Sequence, residues 1–183
     1  CVQKDWVLEQ SQDIIVLLGL HSDVGEMLCA AYPEKAEPLL EQWIEKFGNR
    51  VYLALTRTGR PLEESFNEEA VKLAAKYNIG VVAHNDVHFV RPEDYEAHEA
   101  RVCIADGYVL GDSKRPKHYS PEQYFKTSAE MIKLFADIPS AIENTLQIAK
   151  RCTVSLRLGF HDLPDYPIPE GHTIHSYFEH LSE

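Results

Sequence analysis

Three short apolar runs, set apart by helix-patterned stretches, constrain this chain more than any other feature. They are Ile14-Ile15-Val16-Leu17-Leu18, Val51-Tyr52-Leu53-Ala54-Leu55 and Ile79-Gly80-Val81-Val82-Ala83. Each is strand-sized, continuous and rich in branched residues, the pattern of a strand buried on both faces. Between the first two, Pro33 opens a helix at a position where its missing N–H costs nothing. Ala36, Leu39, Leu40, Trp43, Ile44 and Phe47 then share one helical face, and Gly48-Asn49 ends it. Between the second and third, Phe66, Ala70, Leu73, Ala74 and Tyr77 mark a second amphipathic helix closing near Asn78. Strand and helix in alternation mean an α/β fold with a parallel sheet or barrel. Such folds present their chemistry at the carboxyl ends of the strands.

The remaining chain reads as helices and loops. Trp6 to Gln10 suits a short helix. Pro92 starts another, with Tyr95, His98, Val102 and Ala105 in register and Gly107 at its end. Leu110 to His118 is a basic loop. Ser120-Pro121-Glu122-Gln123 and Thr127-Ser128-Ala129-Glu130 both fit the capping-box pattern at a helix start. Pro139 to Arg151 is a last helix, with Ile142, Leu146 and Ala149 expected to face inward. Pro164, Pro167, Pro169 and Gly171 then read as an extended linker leaving the domain. The chain starts at Cys1 without Met, and is expected to be a piece of a longer polypeptide.

Composition excludes several functions. A chain of 183 residues is one domain or part of one. A formal net charge of -11 disfavours autonomous binding to duplex DNA. No apolar run approaches the ~20 residues that span a bilayer. Cys1, Cys29, Cys103 and Cys152 form no close pair, so reduced thiols in a cytosolic protein are expected. No strand is followed by a dinucleotide or phosphate-binding glycine loop, and the glycines of Gly19 to Gly25 have the wrong spacing. Gly-x-Ser-x-Gly is absent, and no cysteine has an electropositive neighbourhood.

The sharpest cluster is His84, Asp86 and His88, just past the third strand. If extension persists, residues at i, i+2 and i+4 point the same way. Imidazole nitrogen with carboxylate oxygen suits Zn, Mn or Fe, metals that activate water in phosphate-ester hydrolysis. The plain alternative is that Asp86 caps a turn and the histidines lie on the surface. His21 ends the first strand and is either a further ligand or a solvent-exposed loop residue. His98 is expected to pack within its helix. Glu63-Glu64 and Glu68-Glu69 read as solvated helix faces. Arg57 and Arg60 hold a phosphate, hold an acidic segment, or form local salt bridges. Lys114, Arg115, Lys117 and His118 make a small basic patch suited to a partner contact. His172, His175 and His180 lack metal-motif spacing.

Several stretches together resemble one family, the alpha subunit of bacterial DNA polymerase III. Arg57-Thr58-Gly59-Arg60-Pro61 looks like a loop after a barrel strand in that family. Val82-Ala83-His84-Asn85-Asp86-Val87-His88-Phe89 is similar to the fourth metal-binding motif of its PHP (polymerase and histidinol phosphatase) domain. Ala97-His98-Glu99, Ser128 to Met131, Leu134-Phe135, Asn144-Thr145 and Ile148 to Cys152 continue the match in order, and Leu163-Pro164 with Pro167 closes it.

The resemblance implies an incomplete portion of a seven-stranded PHP (β/α) barrel over residues 1–160. Residues 161–183 would be a Pro-rich exit linker towards the polymerase palm. Three strands cannot close a barrel, so an open sheet with an unpaired edge, or self-association, is expected. Asp86 and His88 match the metal-binding Asp-x-His pair, a Zn or Mn site in intact members, whereas His84 has no family role. Leu20 lies near a turn where some members supply a Cys ligand, and Ala54 stands where related chains often carry Glu; both departures imply a degraded site. The parent would be a DNA-directed DNA polymerase of the cytoplasm, its two Mg ions and its DNA held by domains outside this chain. The fragment itself is expected to be inactive. Its implied role is scaffold and docking face for the proofreading exonuclease subunit and other replicase subunits, with no membrane contact. The alternatives are a metal-dependent PHP phosphoesterase or 3′–5′ exonuclease, and a binding module with no metal heritage.

Overall fold

A computed structural model describes residues 2–30, 32–160 and 166–182. The elements of the first unit, Cys1–Cys152, are α1 (Lys4–Glu9), β1 (Val16–Leu18), α2 (Asp23–Cys29), α3 (Pro33–Phe47), β2 (Val51–Thr56), α4 (Glu63–Tyr77), β3 (Gly80–His84), α5 (Tyr95–Asp106), α6 (Ser128–Leu134) and α7 (Pro139–Arg151). The second unit, Thr153–Glu183, contains α8 (Ile174–Ser182).

The strands form a parallel sheet in the order β1-β2-β3, with Leu18 beside Leu53 and Thr56 beside His84. Parallel neighbours in sequence order need a covering crossover, which the helical segments between them supply. β2 is central and buried along its whole length. The sheet is open among the described residues, as three strands require. β1 departs from the expected two-sided burial: it is an edge, and Leu17 remains 44% exposed. A seven-stranded barrel is not what these residues form; they make an α/β sheet compatible with part of one.

Both faces of β2 carry a core. Val51, Leu53 and Leu55 pack with Leu18, Val81 and Ala83 against Val24, Leu40, Phe47, Phe66 and Ala70. On the other face Tyr52, Ala54 and Val82 meet Ile15 and Ile148. Alternation along each strand divides the two sets.

α3 and α4 form as their periodicity predicts, and Asn78 closes α4 in the left-handed region at φ 52°. α7 spans the expected residues, and Ile142 packs against the core as expected, but Leu146 and Ala149 are exposed. Ala141 is buried, and Asn144 donates to the Val81 carbonyl at 2.8 Å, whereas Leu146 is 62% exposed. The face runs through Ala141, Ile142, Asn144, Thr145 and Ile148, with polar Asn144 turned in to satisfy the β3 backbone.

α2 arises where the sequence reads as a glycine loop. Ser22 caps it, its Oγ accepting from Gly25 N at 3.0 Å. A Cβ on Gly25 would lie 2.2 Å from the Gly19 carbonyl oxygen, so the helix fits against the end of β1 only with glycine there. Asp23 then accepts from Lys4 Nζ at 2.6 Å and from Trp43 Nε1 at 3.1 Å, tying α1 and α3 to it.

The two capping-box sequences separate. Thr127 and Glu130 form a complete reciprocal box at the start of α6. Ser120 to Gln123 makes box-like bonds but starts no helix; the amide of Ser120 donates to Gln123 Oε1 at 2.9 Å in a turn. The buried Gln123 is committed to Asp86 beyond β3, which holds this segment as a turn and not a helix start. In the second unit α8 occupies part of the stretch read as linker. Leu163-Pro164, in that stretch, lies outside the described residues.

Candidate functional site

The loop leaving β2 and the loop leaving β3 meet through charged side chains at the carboxyl end of the sheet. Glu63, the first residue of α4, is only 2% exposed. Its Oε2 accepts from the Thr58 amide at 2.6 Å, and its Oε1 accepts from Thr58 Oγ1 at 2.6 Å and from Arg60 Nε at 3.0 Å. Glu63 is therefore no solvated acid, contrary to its reading in the sequence; it is the anchor of the loop. Glu64, its neighbour, does face solvent.

Arg60 reaches from this anchor to β3. Its Nη2 lies 2.6 Å from Asp86 Oδ2, and Gln123 Nε2 donates to the same oxygen at 2.9 Å. His88 Nε2 is 3.4 Å from the other oxygen, Asp86 Oδ1. Asp86 and His88 thus come together as the spacing predicts, although not by persistent extension. Asp86 adopts φ 46°, a left-handed conformation that ends the strand geometry. His84 closes β3, is exposed, and makes no hydrogen bond, ion pair or ring contact with either.

Behind His88 lies an aromatic cluster. Its ring centroid is 5.6 Å from that of His98 and 4.7 Å from Tyr119. His98, 6% exposed, is the packed residue its helical register implies. Burial holds its pKa below the ordinary histidine value, and the positive charge of Arg101 and proximity to His88 add to this. His21 is exposed and joins no part of this cluster.

The arginines form the local ion pairs Arg57–Glu64 and Arg60–Glu63, and each also reaches a distant carboxylate. Arg57 grips Asp137 through two bonds of 2.6 and 2.8 Å and donates to the Leu134 carbonyl at 2.8 Å, joining the loop after β2 to the end of α6. That grip holds the Asp137 carboxyl below its usual pKa. Of the basic segment, Arg115 turns inward to pair with buried Glu99. The patch is accordingly smaller than the sequence implies.

A Zn or Mn ion does not fit this arrangement. Asp86 already faces a guanidinium and an amide donor, and a cation there would meet Arg60 at close range. Among the described residues no group of three or more His, Cys, Asp or Glu side chains is arranged to hold a metal ion. The sequence pointed only to salt bridges of Arg60; neither Glu63 nor Asp86 was legible as its partner.

The described residues define an α/β unit with an open parallel sheet whose strand-end loops are cross-linked by ion pairs. Its relatives are specific. The chain is 45% identical over 182 residues to the DNA polymerase III subunit alpha of Pseudomonas fluorescens. It is 49% identical over 167 residues to that of Haemophilus influenzae, and 46% over 167 residues to that of Escherichia coli strain K12. It covers 14 to 16% of those polypeptides, so it is similar to one fragment of a much longer subunit. The resemblance carried by the motifs holds across nearly the whole chain. No protein-family model matches it.

Proposed function

We propose that this chain is part of the catalytic alpha subunit of a bacterial replicase, and that the full-length polypeptide extends primers by template-directed DNA synthesis. The collinear identity to DNA polymerase III alpha subunits carries this reading. The chain acts as scaffold: its ion pairs join loops to one another instead of lining a reaction site. Residues 1–160 are the later part of a PHP domain, and residues 161–183 lead towards the palm, where the two Mg ions and the primer end are held. The outer surface docks the proofreading exonuclease subunit and other replicase subunits, and DNA is bound by the parent's other domains. The parent works in the cytoplasm; no described helix is long and apolar enough to cross a membrane.

The test is primer extension. Full-length polypeptide is expected to extend a primed template in the presence of Mg, and the 183-residue chain to give no extension. Absence of synthesis by the full-length polypeptide, or synthesis by homogeneous fragment, overturns the reading.

A further inference from the structure

Thr153 to Leu158 alternates strictly between polar Thr153, Ser155 and Arg157 and apolar Val154, Leu156 and Leu158, so that pairing into a strand would put the two sets on opposite sides. The three apolar side chains are 85, 79 and 85% exposed. No backbone hydrogen bond from residues 153–158 occurs among the described residues. Gly159 follows at φ 83° and ends the run. A β-patterned segment without backbone partners among the described residues is a strand sequence without its sheet: its amides and its three large apolar side chains are left to water.

We propose that residues 153–158 add as an edge strand to a sheet formed by the part of the full-length polypeptide that lies outside this chain. The occupant follows from length and pattern. The chain covers only 16% of a relative whose similarity runs over 99% of it, so most of the polypeptide that could supply an edge is elsewhere. One apolar and one polar side fit a sheet covered on a single face, with Thr153, Ser155 and Arg157 towards water. Backbone pairing supplies the attachment, and pockets for the alternate residues 154, 156 and 158 supply register. This inference rests on the reading of the chain as part of a longer polypeptide.

The experiment uses the full-length polypeptide with a photo-crosslinking amino acid placed singly at each position from 153 to 158. Crosslinks into the sequence outside this chain are expected from 154, 156 and 158, and none from 153, 155 and 157. Amides of the segment are expected to exchange at least about 100-fold more slowly than in an unstructured chain. Crosslinks within residues 1–152, to a second copy, or without alternation overturn the proposal, as does exchange at the unstructured rate. Primer extension is measured on the same preparations. Synthesis with an unprotected segment sinks the strand proposal alone, whereas loss of synthesis from unsubstituted polypeptide sinks the functional reading.

Discussion

Glu63 has both carboxylate oxygens occupied, by Thr58 and Arg60, in a site almost closed to water. Its removal leaves a buried amide and a buried hydroxyl without their acceptor and takes one of two carboxylates from the Arg60 guanidinium. Glu63→Ala should therefore cost about 3 kcal/mol of unfolding free energy, in the range for breaking one side of a buried pair. Glu63→Gln, which keeps an acceptor, should cost less; urea unfolding of both variants measures the difference. Equal and small losses would show that the loop is held elsewhere. Leu62, the preceding residue, sits at φ 69° and is 57% exposed. A leucine there bears left-handed strain with little burial in return, so Leu62→Gly should stabilise by about 0.5 to 1 kcal/mol. A lowered urea midpoint in that variant would mean that the side chain packs more than its exposure implies. Neither role was legible in the sequence. An acid in a first helical turn is ordinarily a solvated dipole partner, and nothing in its spacing shows that the loop before it folds back onto it.

At the level of elements, the strands were readable because β2 is apolar up to its final Thr56 and its neighbours are branched. α2 was not, because its glycines look like loop residues until the close approach of Gly25 to the end of β1 is known. The inward face of α7 was legible at Ile142 but misplaced at Leu146 and Ala149, because the bond from Asn144 to β3 turns the helix that way. The α6 capping box tests how much a readable signal contributes. Thr127→Ala should lower stability by about 1 kcal/mol, measured by urea unfolding. Its acid partner gives a pH signature. Hydrogen bonds from the Thr127 hydroxyl and amide hold the Glu130 carboxyl below its ordinary pKa. With the folded value below the unfolded one, its contribution is present above the unfolded value, near about 4.3, and fades as pH falls through the folded value. Glu130→Gln should therefore differ from the parent in urea midpoint at neutral pH, and the difference should shrink as pH falls through the folded value. A gap that stays constant with pH would remove the carboxylate from the account.

Across the whole molecule, the carboxyl side of the sheet is held by a chain of contacts from Glu63 through Arg60 to Asp86 and Gln123. Arg60 stands on Asp86 where a metal would have to bind, and the two cations are alternatives. Dialysed chain should therefore hold far less than one equivalent of Zn or Mn, and Asp86→Ala with His88→Ala should leave that content unchanged. The same double variant should still lose stability, because Asp86 links the β2 and β3 loops and its removal frees Arg60 and Gln123. A loss of about 1 to 2 kcal/mol is expected, since hydrogen bonds to charged groups of this exposure contribute on that scale. His84→Ala serves as the control: exposed and without contact to the pair, it should change neither property. In the full-length polypeptide the double variant should keep primer extension at low temperature and lose it earlier on heating, as expected when a support is weakened and the reacting groups are elsewhere. One equivalent of tightly held metal that disappears with Asp86 and His88 would show that Arg60 yields its place. A loss of extension without a loss of stability would move Asp86 from the scaffold to the chemistry.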